Sequence, residues 1–332
     1  MGLEFVVTLV AALIVLIVAM FIGTAFTTPF HGAVIRLRAN YNPKGVGLEE
    51  GQENRVGPTL TTVLGTLQRT KRVEGWVGLW KGAYPSLCYT SLLSLVSILF
   101  IGAASTKGPK GAYTVPEASG LKMALFTVVL TLISLPFTVI INRCIITPYA
   151  LPMKPTIANA KLSLRLLLTP DEYAKPWTLY IAPGLMASVG IHAIWVTIVA
   201  RGVKWLLVSY DELGMINSPV LFCLFLIFQL ASSIFLTPLE VLSTRLSIQR
   251  NSYSPYAVAS QHESGMGAAG AVLPDGVGWA GLEEDVIGLR PEEEPYEGFV
   301  DAARKIVEEE GAPALWRAWW LTALGNVLSA FS

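Results

Sequence analysis

The sequence predicts an all-α membrane protein with a threefold repeat, each unit holding two transmembrane helices and one surface helix. Charged residues make up only 14% of the 332 residues, against about 25% in soluble proteins. The mean hydropathy is +0.54. A proline motif also recurs at intervals of about one hundred residues, and a second motif occurs in the first and third units. Repetition at a fixed period indicates the architecture. We expect one domain over 1–332, with units 1–106, 119–208 and 213–332.

Uncharged stretches predict the transmembrane helices. Five of them have the roughly 20 residues needed to cross a hydrocarbon core about 30 Å thick: 5–35, 82–106, 123–142, 176–200 and 213–239. The first lacks the basic start of a secretory signal, although a signal anchor stays an alternative. A sixth stretch, Ala318 to Ser332, has only fifteen residues. We therefore expect a short sixth helix and interpret its shortness as truncation of the chain.

The basic residues predict the orientation of the helices. Of the 24 Lys and Arg, eight lie in 36–81, five in 143–175 and six in 245–317. These segments follow the first, third and fifth stretches, and we call them the basic loops. Positive charge concentrates on one side of a membrane. The sequence therefore predicts the basic loops on one side and both termini on the other.

The basic loops have some internal organisation. An apolar stripe at helical spacing predicts a surface helix over 56–73, and a second such stripe predicts one over 298–309. Residues 251–298 form a polar insertion in the third unit, rich in Gly, Ser, Pro and acidic residues. Because such a composition buries little apolar surface, we expect 251–290 to be the least ordered part of the chain.

The first repeated motif is a proline followed seven residues later by an arginine. The three copies are Pro29 with Arg36, Pro136 with Arg143, and Pro238 with Arg245. Proline removes an amide donor from a helix and kinks it. The motif therefore predicts kinked first, third and fifth helices with ends that converge.

The second repeated motif precedes the second and sixth helices. It comprises Glu74, Gly75, Trp80, Lys81 and Gly82 in the first unit, and Glu310, Gly311, Trp316 and Arg317 in the third. Ala318 replaces the last glycine. The second unit has no Glu-Gly pair, and either Tyr180 or Trp177 stands where Trp80 stands.

These motifs resemble those of the mitochondrial carrier family, of which the chain would be a divergent member. The resemblance implies a six-helix bundle in which an acid and a base, two and five residues after each proline, pair between helices as a gate. Here the acid positions hold His31, Thr138 and Glu240, and the base positions hold Val34, Ile141 and Ser243. Because one of six gate charges survives, we expect a weak gate and leaky or uniport-like transport. The arginines are interpreted as interface anchors or as gate residues.

The resemblance also implies where a solute would bind. The expected contacts lie midway along the even-numbered helices, at Tyr89, Thr90, Ser188, His192, Gly325 and Asn326. A packed, structural role for His192 stays an alternative. None of these residues is Lys or Arg, and a polyanion would need a base for charge complementarity. The sequence therefore favours a neutral or weakly charged solute.

The remaining sequence gives no indication of an enzyme. It shows no catalytic constellation, metal-ligand cluster or phosphate-binding loop, so no cofactor is expected, and zero net charge argues against nucleic acid. Two functions remain: a solute carrier of the mitochondrial inner membrane that works by alternating access, and a degenerate, non-transporting adaptor of the outer membrane. Expected partners are membrane lipid and a small solute, with a possible protein partner at 251–298.

Overall fold

The protein is helical over almost all of the chain that the structure describes. The computed structural model describes residues 2–44, 58–104, 106–107, 113–114, 121–152, 154, 156–209, 216–251, 278–281, 284–292 and 294–331. Predictions for other residues, including 252–277 of the insertion, lie outside this range.

Eleven α-helices follow one another along the described residues. They are α1 (Gly2–Ala39), α2 (Val63–Leu79), α3 (Ala83–Ala104), α4 (Leu121–Ile146), α5 (Ile157–Leu167), α6 (Pro170–Ala174), α7 (Leu185–Ile194), α8 (Arg201–Leu207), α9 (Pro219–Ile248), α10 (Phe299–Glu309) and α11 (Trp319–Ala330). Short 3-10 helices cover Pro176–Ile181 and Ala312–Trp316, and a π-helix over Trp195–Ala200 joins α7 to α8. Two two-residue strands, β1 (Thr106–Lys107) and β2 (Tyr113–Thr114), pair antiparallel.

Five helical segments in the described residues are long and apolar enough to cross a membrane. They are Leu13–Ala39, Ala83–Ile101, Leu125–Ile146, Leu185–Leu207 and Pro219–Ile248. The fourth combines α7, the π-helix and α8. Helix α11 follows the second copy of the Glu-Gly motif, but its 12 residues fall short of a full crossing. The protein is therefore an all-α, multi-pass membrane protein.

Several predicted helix ends were wrong. The uncharged stretches that predict the first, third and fifth helices end at 35, 142 and 239, next to charged residues, whereas the helices continue to Ala39, Ile146 and Ile248. The charges do not stop these helices because each is paired, as described below. The fourth segment begins at Leu185 rather than at 176, because residues 176–181 form a 3-10 helix.

Both predicted surface helices form. Helix α10 confirms the prediction for 298–309. Helix α2 begins at Val63 rather than at 56, because Thr62 caps it by accepting a hydrogen bond from the Gly65 amide, and a kink at Gly75 interrupts it. The middle of the chain contains α5, capped by Thr156, which was not predicted from the sequence.

The expectation of disorder was wrong for the last part of the insertion. Residues 278–281, 284–292 and 294–296, here called the strap, cross the side of the bundle that carries the basic loops. Val286 and Ile287 in the strap are buried, and they pack in one cluster with Ile35 of α1 and Ile145 of α4. The hydrophobic effect holds the segment in place despite its polar composition.

Burial is concentrated at the arginine-bearing ends of α1, α4 and α9. The fully buried side chains there include Leu37, Ile145 and Leu246, whereas Val15 and Phe26, earlier on α1, are 67% and 72% exposed. Apolar side chains directed outwards suit a helix surrounded by lipid. The packed end of the bundle thus coincides with the predicted basic-loop side.

Candidate functional site

Three polar side chains from three other helices meet around Glu240 of α9, and we call these four residues the polar cluster. Arg38 of α1 donates from Nη2 to Glu240 Oε2 at 2.5 Å, and the Thr322 hydroxyl of α11 donates to the same oxygen at 2.5 Å. Arg38 Nη2 also donates to Thr322 Oγ1 at 3.0 Å. His192 Nε2 of α7 lies 3.7 Å from Glu240 Oε1, beyond hydrogen-bond range. The cluster therefore joins α1, α9 and α11 directly and places a histidine beside them.

Arg38 supplies the partner that Glu240 lacks in the sequence motif. The expected base position holds Val34, and Arg38 follows it by four residues, about one helical turn. The two charged side chains are 12% and 27% exposed. A carboxylate in a membrane-spanning segment is costly unless it is paired. The structure therefore contains an interhelical ion pair between α1 and α9, and its base lies one turn beyond the expected position.

The predicted contact residues on α3 have different neighbours. The Tyr89 ring packs 5.5 Å, centroid to centroid, from the Phe137 ring of α4. The Thr90 hydroxyl donates to the Ser86 carbonyl of its own helix at 2.9 Å. Tyr89 thus contributes to the α3–α4 contact, and Thr90 is half-buried on its helix.

The other predicted contact residues lie on α7 and α11. The Ser188 side chain is buried and donates to the Leu239 carbonyl of α9 at 2.8 Å. The Asn326 side-chain amide of α11 donates to the Gln229 carbonyl of α9 at 3.4 Å. Gly325 is exposed, and a methyl group added there would meet no neighbouring atom within 4 Å. Of the six predicted contacts, His192 is the one that the structure brings to Glu240.

Each arginine of the proline motif forms a buried ion pair with a glutamate. The pairs are Arg36 with Glu74 (2.8 Å), Arg143 with Glu172 (2.6 and 3.0 Å) and Arg245 with Glu310 (3.0 Å for the Nη2–Oε2 bond). Their side chains are at most 5% exposed. Neither interpretation of the arginines, as interface anchors or as gate bases, anticipated these partners. The recurrence of a Glu in the second motif is explained by this role for Glu74 and Glu310.

Glu172 is the second-unit glutamate that was not identified from the sequence. It belongs to a capping box at the start of α6, in which its amide donates to the Thr169 hydroxyl and its carboxylate accepts from the Thr169 amide. Burial raises the pKa of Glu172, but the hydrogen bonds and charge of Arg143 outweigh burial and lower the pKa overall. The signal available in the sequence was Thr169 with Glu172 three residues later.

The arginine pairs are linked to one another in a closed ring. Each unit also donates to backbone carbonyls at the end of the next proline helix, two or four residues past that helix's arginine. The bonds are Lys81 Nζ to Thr147 O (2.8 Å), Arg143 to Ser247 O (3.2 Å) and Gln249 O (2.6 Å), and Arg245 to Arg38 O (3.0 Å) and Asn40 O (2.8 Å). The helix ends are therefore tied first to second, second to third and third to first.

The second motif supplies an additional base in two of the three units. Lys81 Nζ contacts Glu74 Oε1 at 2.6 Å, and Arg317 Nη2 contacts Glu310 Oε2 at 2.9 Å. Arg317 also donates to the Asn40 carbonyl. Burial lowers the pKa of Lys81, although the Glu74 charge opposes that shift. In the first and third units, two bases therefore share the contacts that Arg143 makes alone in the second unit.

An aromatic side chain in each unit donates to the backbone carbonyl four residues before the proline. Trp80 Nε1 donates to Ala25 O at 3.2 Å, the Tyr180 hydroxyl to Leu132 O at 3.0 Å, and Trp316 Nε1 to Ile234 O at 3.1 Å. A proline has no amide hydrogen, so this carbonyl loses its helical donor. The aromatic side chain replaces the missing donor, and Tyr180 rather than Trp177 occupies this position in the second unit.

We expect Tyr180→Phe to destabilise the protein by about 1 kcal/mol, since it leaves the Leu132 carbonyl without this donor. Thermal unfolding of the purified protein in detergent measures the loss. Tyr84→Phe is the matched control, because the Tyr84 side chain is 51% exposed. Equal effects of the two substitutions would contradict the role of the Tyr180 hydroxyl.

Left-handed backbone marks both ends of the second motif. Gly75 and Gly311, which follow the glutamates, have φ values of 71° and 95°. Gly82, Gly184 and Ala318, which precede α3, α7 and α11, have φ values of 87°, 77° and 59°. Alanine pays about 1–2 kcal/mol for this conformation. The motif thus requires a sharp turn before each of these helices, even where the residue is not glycine.

A large groove lies between the first and second units. It has a volume of about 760 Å³, and its lining includes Phe21 of α1, Trp80, Leu87 of α3, Ile140 of α4 and Leu164 of α5. Lys81 and Lys154 also lie along it. The groove is mainly apolar, with basic groups near its basic-loop end.

The chain matches no known protein-family model and no curated protein sequence.

Proposed function

We propose that the protein is a solute carrier of the mitochondrial-carrier type, in the mitochondrial inner membrane, that works by alternating access. The ring of arginine contacts is the observation that carries the proposal. It links the ends of α1, α4 and α9 in the same way around the bundle. Helix ends that are joined in this manner can part and rejoin as the bundle opens and closes on the basic-loop side.

The aromatic donors at the three prolines give independent support for a threefold repeat. Each joins the segment just before α3, α7 or α11 to the proline turn of the preceding proline helix. A unit whose two helices are tied at the proline turn would move as one body. Alternating access requires units of this kind.

The polar cluster supports a neutral or weakly charged solute. Arg38 and Glu240 neutralise each other, and His192 is the predicted contact beside them. A polyanion would have to separate Arg38 from its carboxylate before it found a free base. A solute with hydroxyl or amide groups could bind to this cluster without breaking the ion pair.

Membrane lipid is the second expected partner. The groove between the first two units is apolar along most of its length and contains Lys81 and Lys154. An acyl chain suits the apolar walls and Lys154 suits an anionic headgroup, whereas Lys81 is already paired with Glu74. Lipid in this groove would fill the space between α3 and α5.

Reconstitution into proteoliposomes tests the carrier function. We expect protein-dependent uptake of at least one solute from a panel of neutral and zwitterionic compounds, and no uptake of nucleotides, dicarboxylates or tricarboxylates. Strict one-for-one exchange of a polyanion would show that both the solute class and the weak gate are wrong.

We expect Arg38→Gln to increase solute efflux in the absence of external solute by about tenfold. Hydrogen bonds to charged groups contribute about 1.5–3 kcal/mol, and about 1.4 kcal/mol corresponds to a factor of ten. The substitution removes the ion pair between α1 and α9, so the closed state loses stability. Efflux from preloaded proteoliposomes measures this change.

Arg304→Gln is the matched control for Arg38→Gln. Arg304 is 75% exposed and pairs with Glu308 on the same helix. We expect it to change efflux by less than about twofold, since exposed pairs contribute little. Unchanged efflux in the Arg38 variant would contradict a gating role for the polar cluster.

A non-transporting adaptor is the second candidate, and the strap favours it. The strap is anchored to the ends of α1, α4 and α9, which would hold the basic-loop side closed. An outer-membrane location after submitochondrial fractionation, with no uptake from the full solute panel, would support the adaptor. An inner-membrane location would support the carrier.

A further inference from the structure

The strap is fixed first at the end of α4. Residues Tyr149 and Trp279 form an antiparallel bridge. The Ala150 amide donates to the Gly278 carbonyl at 2.8 Å, and the Ala280 amide donates to the Pro148 carbonyl at 2.8 Å. The Tyr149 and Trp279 rings pack with centroids 5.1 Å apart. The strap is thus paired to the chain that leaves α4 in the manner of a β-ladder.

The strap is fixed next at the end of α1. The Gly288 amide donates to Asn40 Oδ1 at 2.9 Å, and the Tyr41 amide donates to the Gly288 carbonyl at 2.8 Å. A Cβ at Gly288 would lie 2.5 Å from the Tyr41 carbonyl oxygen. This close approach of two backbones therefore requires a glycine.

The third anchor lies at the end of α9. The Gln249 side-chain amide donates to the Tyr296 carbonyl at 2.9 Å, and its carbonyl oxygen accepts from the Tyr296 amide at 2.8 Å. Arg250 lies 3.6 Å from Glu292. The strap is thereby joined to all three helices that carry the proline motif.

Between these anchors the strap packs against the bundle. Val286 and Ile287 are 6% and 5% exposed, and they share a cluster with Ile35 of α1 and with Ile141 and Ile146 of α4. Space of about 20 Å³ remains beneath this part of the strap, which is room for about one water molecule. Ile141 occupies one of the base positions of the family's gate, so apolar packing stands where the resemblance implies an ion pair.

Helix α2 holds the strap from outside. Arg69 Nε donates to the Val286 carbonyl at 3.1 Å, and Arg69 Nη2 donates to the Asp285 carbonyl at 3.0 Å and to Glu284 at 3.1 Å. Of these three strap groups, Arg72 on the same helix contacts only the Glu284 carboxylate, at 3.5 Å. Arg69 therefore binds the strap backbone, whereas Arg72 makes one exposed ion pair.

We propose that the strap is an internal gate, which closes the basic-loop side by joining the ends of α1, α4 and α9 and must detach before that side opens. The proposal rests on the proposed function, since a carrier has to open on this side. It goes further by assigning to the strap the closing role for which the resemblance implied a ring of six charges. Transport rate would then depend on how tightly the strap is held.

A buried reporter can measure this opening without any solute. The Ser247 side chain is fully buried, and its hydroxyl accepts from Asn142 of α4 at 2.7 Å. A thiol at this position in Ser247→Cys reacts only when α4 and α9 separate. The native cysteines Cys88, Cys144 and Cys223 are replaced by serine in the reporter protein. A membrane-impermeant methanethiosulfonate, applied from each side in turn, gives the labelling rate.

We expect Val286→Ala with Ile287→Ala to raise the labelling rate from the basic-loop side about tenfold. Arg69→Gln should raise it severalfold without altering the apolar packing, and Arg72→Gln should leave it unchanged. Val300→Ala is a control for the loss of side-chain volume, because Val300 is 75% exposed. Intact folding of each variant is checked by its thermal transition.

The proposal would be overturned if neither the alanine pair nor Arg69→Gln changed the labelling rate. Equal increases for the Arg69 and Arg72 variants would also overturn it. If the alanine pair does not fold, the two arginine variants still decide the question. Solute uptake by the same proteins separates this proposal from the carrier function. Faster labelling with no uptake by any variant would support the gate and contradict the carrier.

Discussion

Glu172→Gln is expected to destabilise the protein by about 3–5 kcal/mol, the loss typical of removing one member of a buried ion pair. Arg143 is 3% exposed and Glu172 is 1% exposed, so water cannot replace the lost carboxylate. Arg143 also holds the end of α9 through Ser247 and Gln249. Chemical unfolding in detergent or in lipid measures the change in the free energy of unfolding.

Glu308→Gln is the matched control for this prediction. Its partner Arg304 lies on the same helix, and the two side chains are 57% and 75% exposed. Exposed pairs of this kind contribute about 0–1 kcal/mol. If the Glu172 variant lost no more stability than the Glu308 variant, the ring of arginine contacts would have no energetic role.

Acid should act on the same pair. The pKa of Glu172 is lowered in the folded protein, so its pairing contributes stability above the pKa of the unfolded chain. That contribution is lost as the pH falls through the lower, folded-state pKa. The pH dependence of unfolding below about pH 4.5 should therefore flatten in Glu172→Gln.

Gly184→Ala is expected to cost about 2–5 kcal/mol. The φ of Gly184 is 77°, which costs an alanine about 1–2 kcal/mol. Its Cβ would also lie 2.2 Å from the Phe299 amide nitrogen and 2.7 Å from the Gly298 carbonyl carbon. Overpacking typically adds about 1–3 kcal/mol, and backbone atoms move less easily than side-chain ends. The free energy of unfolding again gives the measurement.

Gly190→Ala provides the control for Gly184→Ala. Gly190 lies on α7, and no neighbouring atom lies within 4 Å of the Cβ position. Alanine is favoured over glycine within a helix by about 1 kcal/mol, so this variant should be slightly more stable. Equal losses in both variants would show that the contact between Gly184 and the start of α10 is not tight.

The transmembrane helices could be predicted because their sequences are uncharged over sufficient length. Their ends could not, since hydropathy treats every charge as a boundary. Arg36 and Arg143 lie inside helices that continue past them, because each meets a glutamate far along the chain. The Thr169–Glu172 capping box can be predicted from the sequence, but the pairing of Glu74 and Glu172 with these arginines depends on how α2 and α6 pack against the bundle.

The candidate site was predicted less completely than the fold. Glu240 and His192 were predicted from the sequence, whereas Arg38 was not, because the resemblance places the base at Val34, one turn earlier. Thr322 was missed because a threonine in an apolar helix has no distinctive pattern. The contacts that unite these residues arise from the packing of four helices, and that packing is a tertiary property.

The strap was missed for a different reason. Its composition is polar, and Val286 and Ile287 are two apolar residues among acidic ones and glycines. Their burial depends on Ile35 and Ile145, which lie far away in the chain. Composition can show that a segment lacks a hydrophobic core of its own. It cannot show that the segment completes the hydrophobic core formed by other helices.

The closed ring has a consequence for biosynthesis. The carbonyl of Asn40 receives Arg245, 205 residues later in the chain. At the translation rate of about 5–20 residues per second, the ribosome needs roughly 10–40 seconds to make that partner. During this interval the first helix is complete, whereas the acceptor at its end still lacks the donor that closes the ring. The nascent chain therefore depends on water, lipid headgroups or insertion machinery to protect that end until its last unit is synthesised.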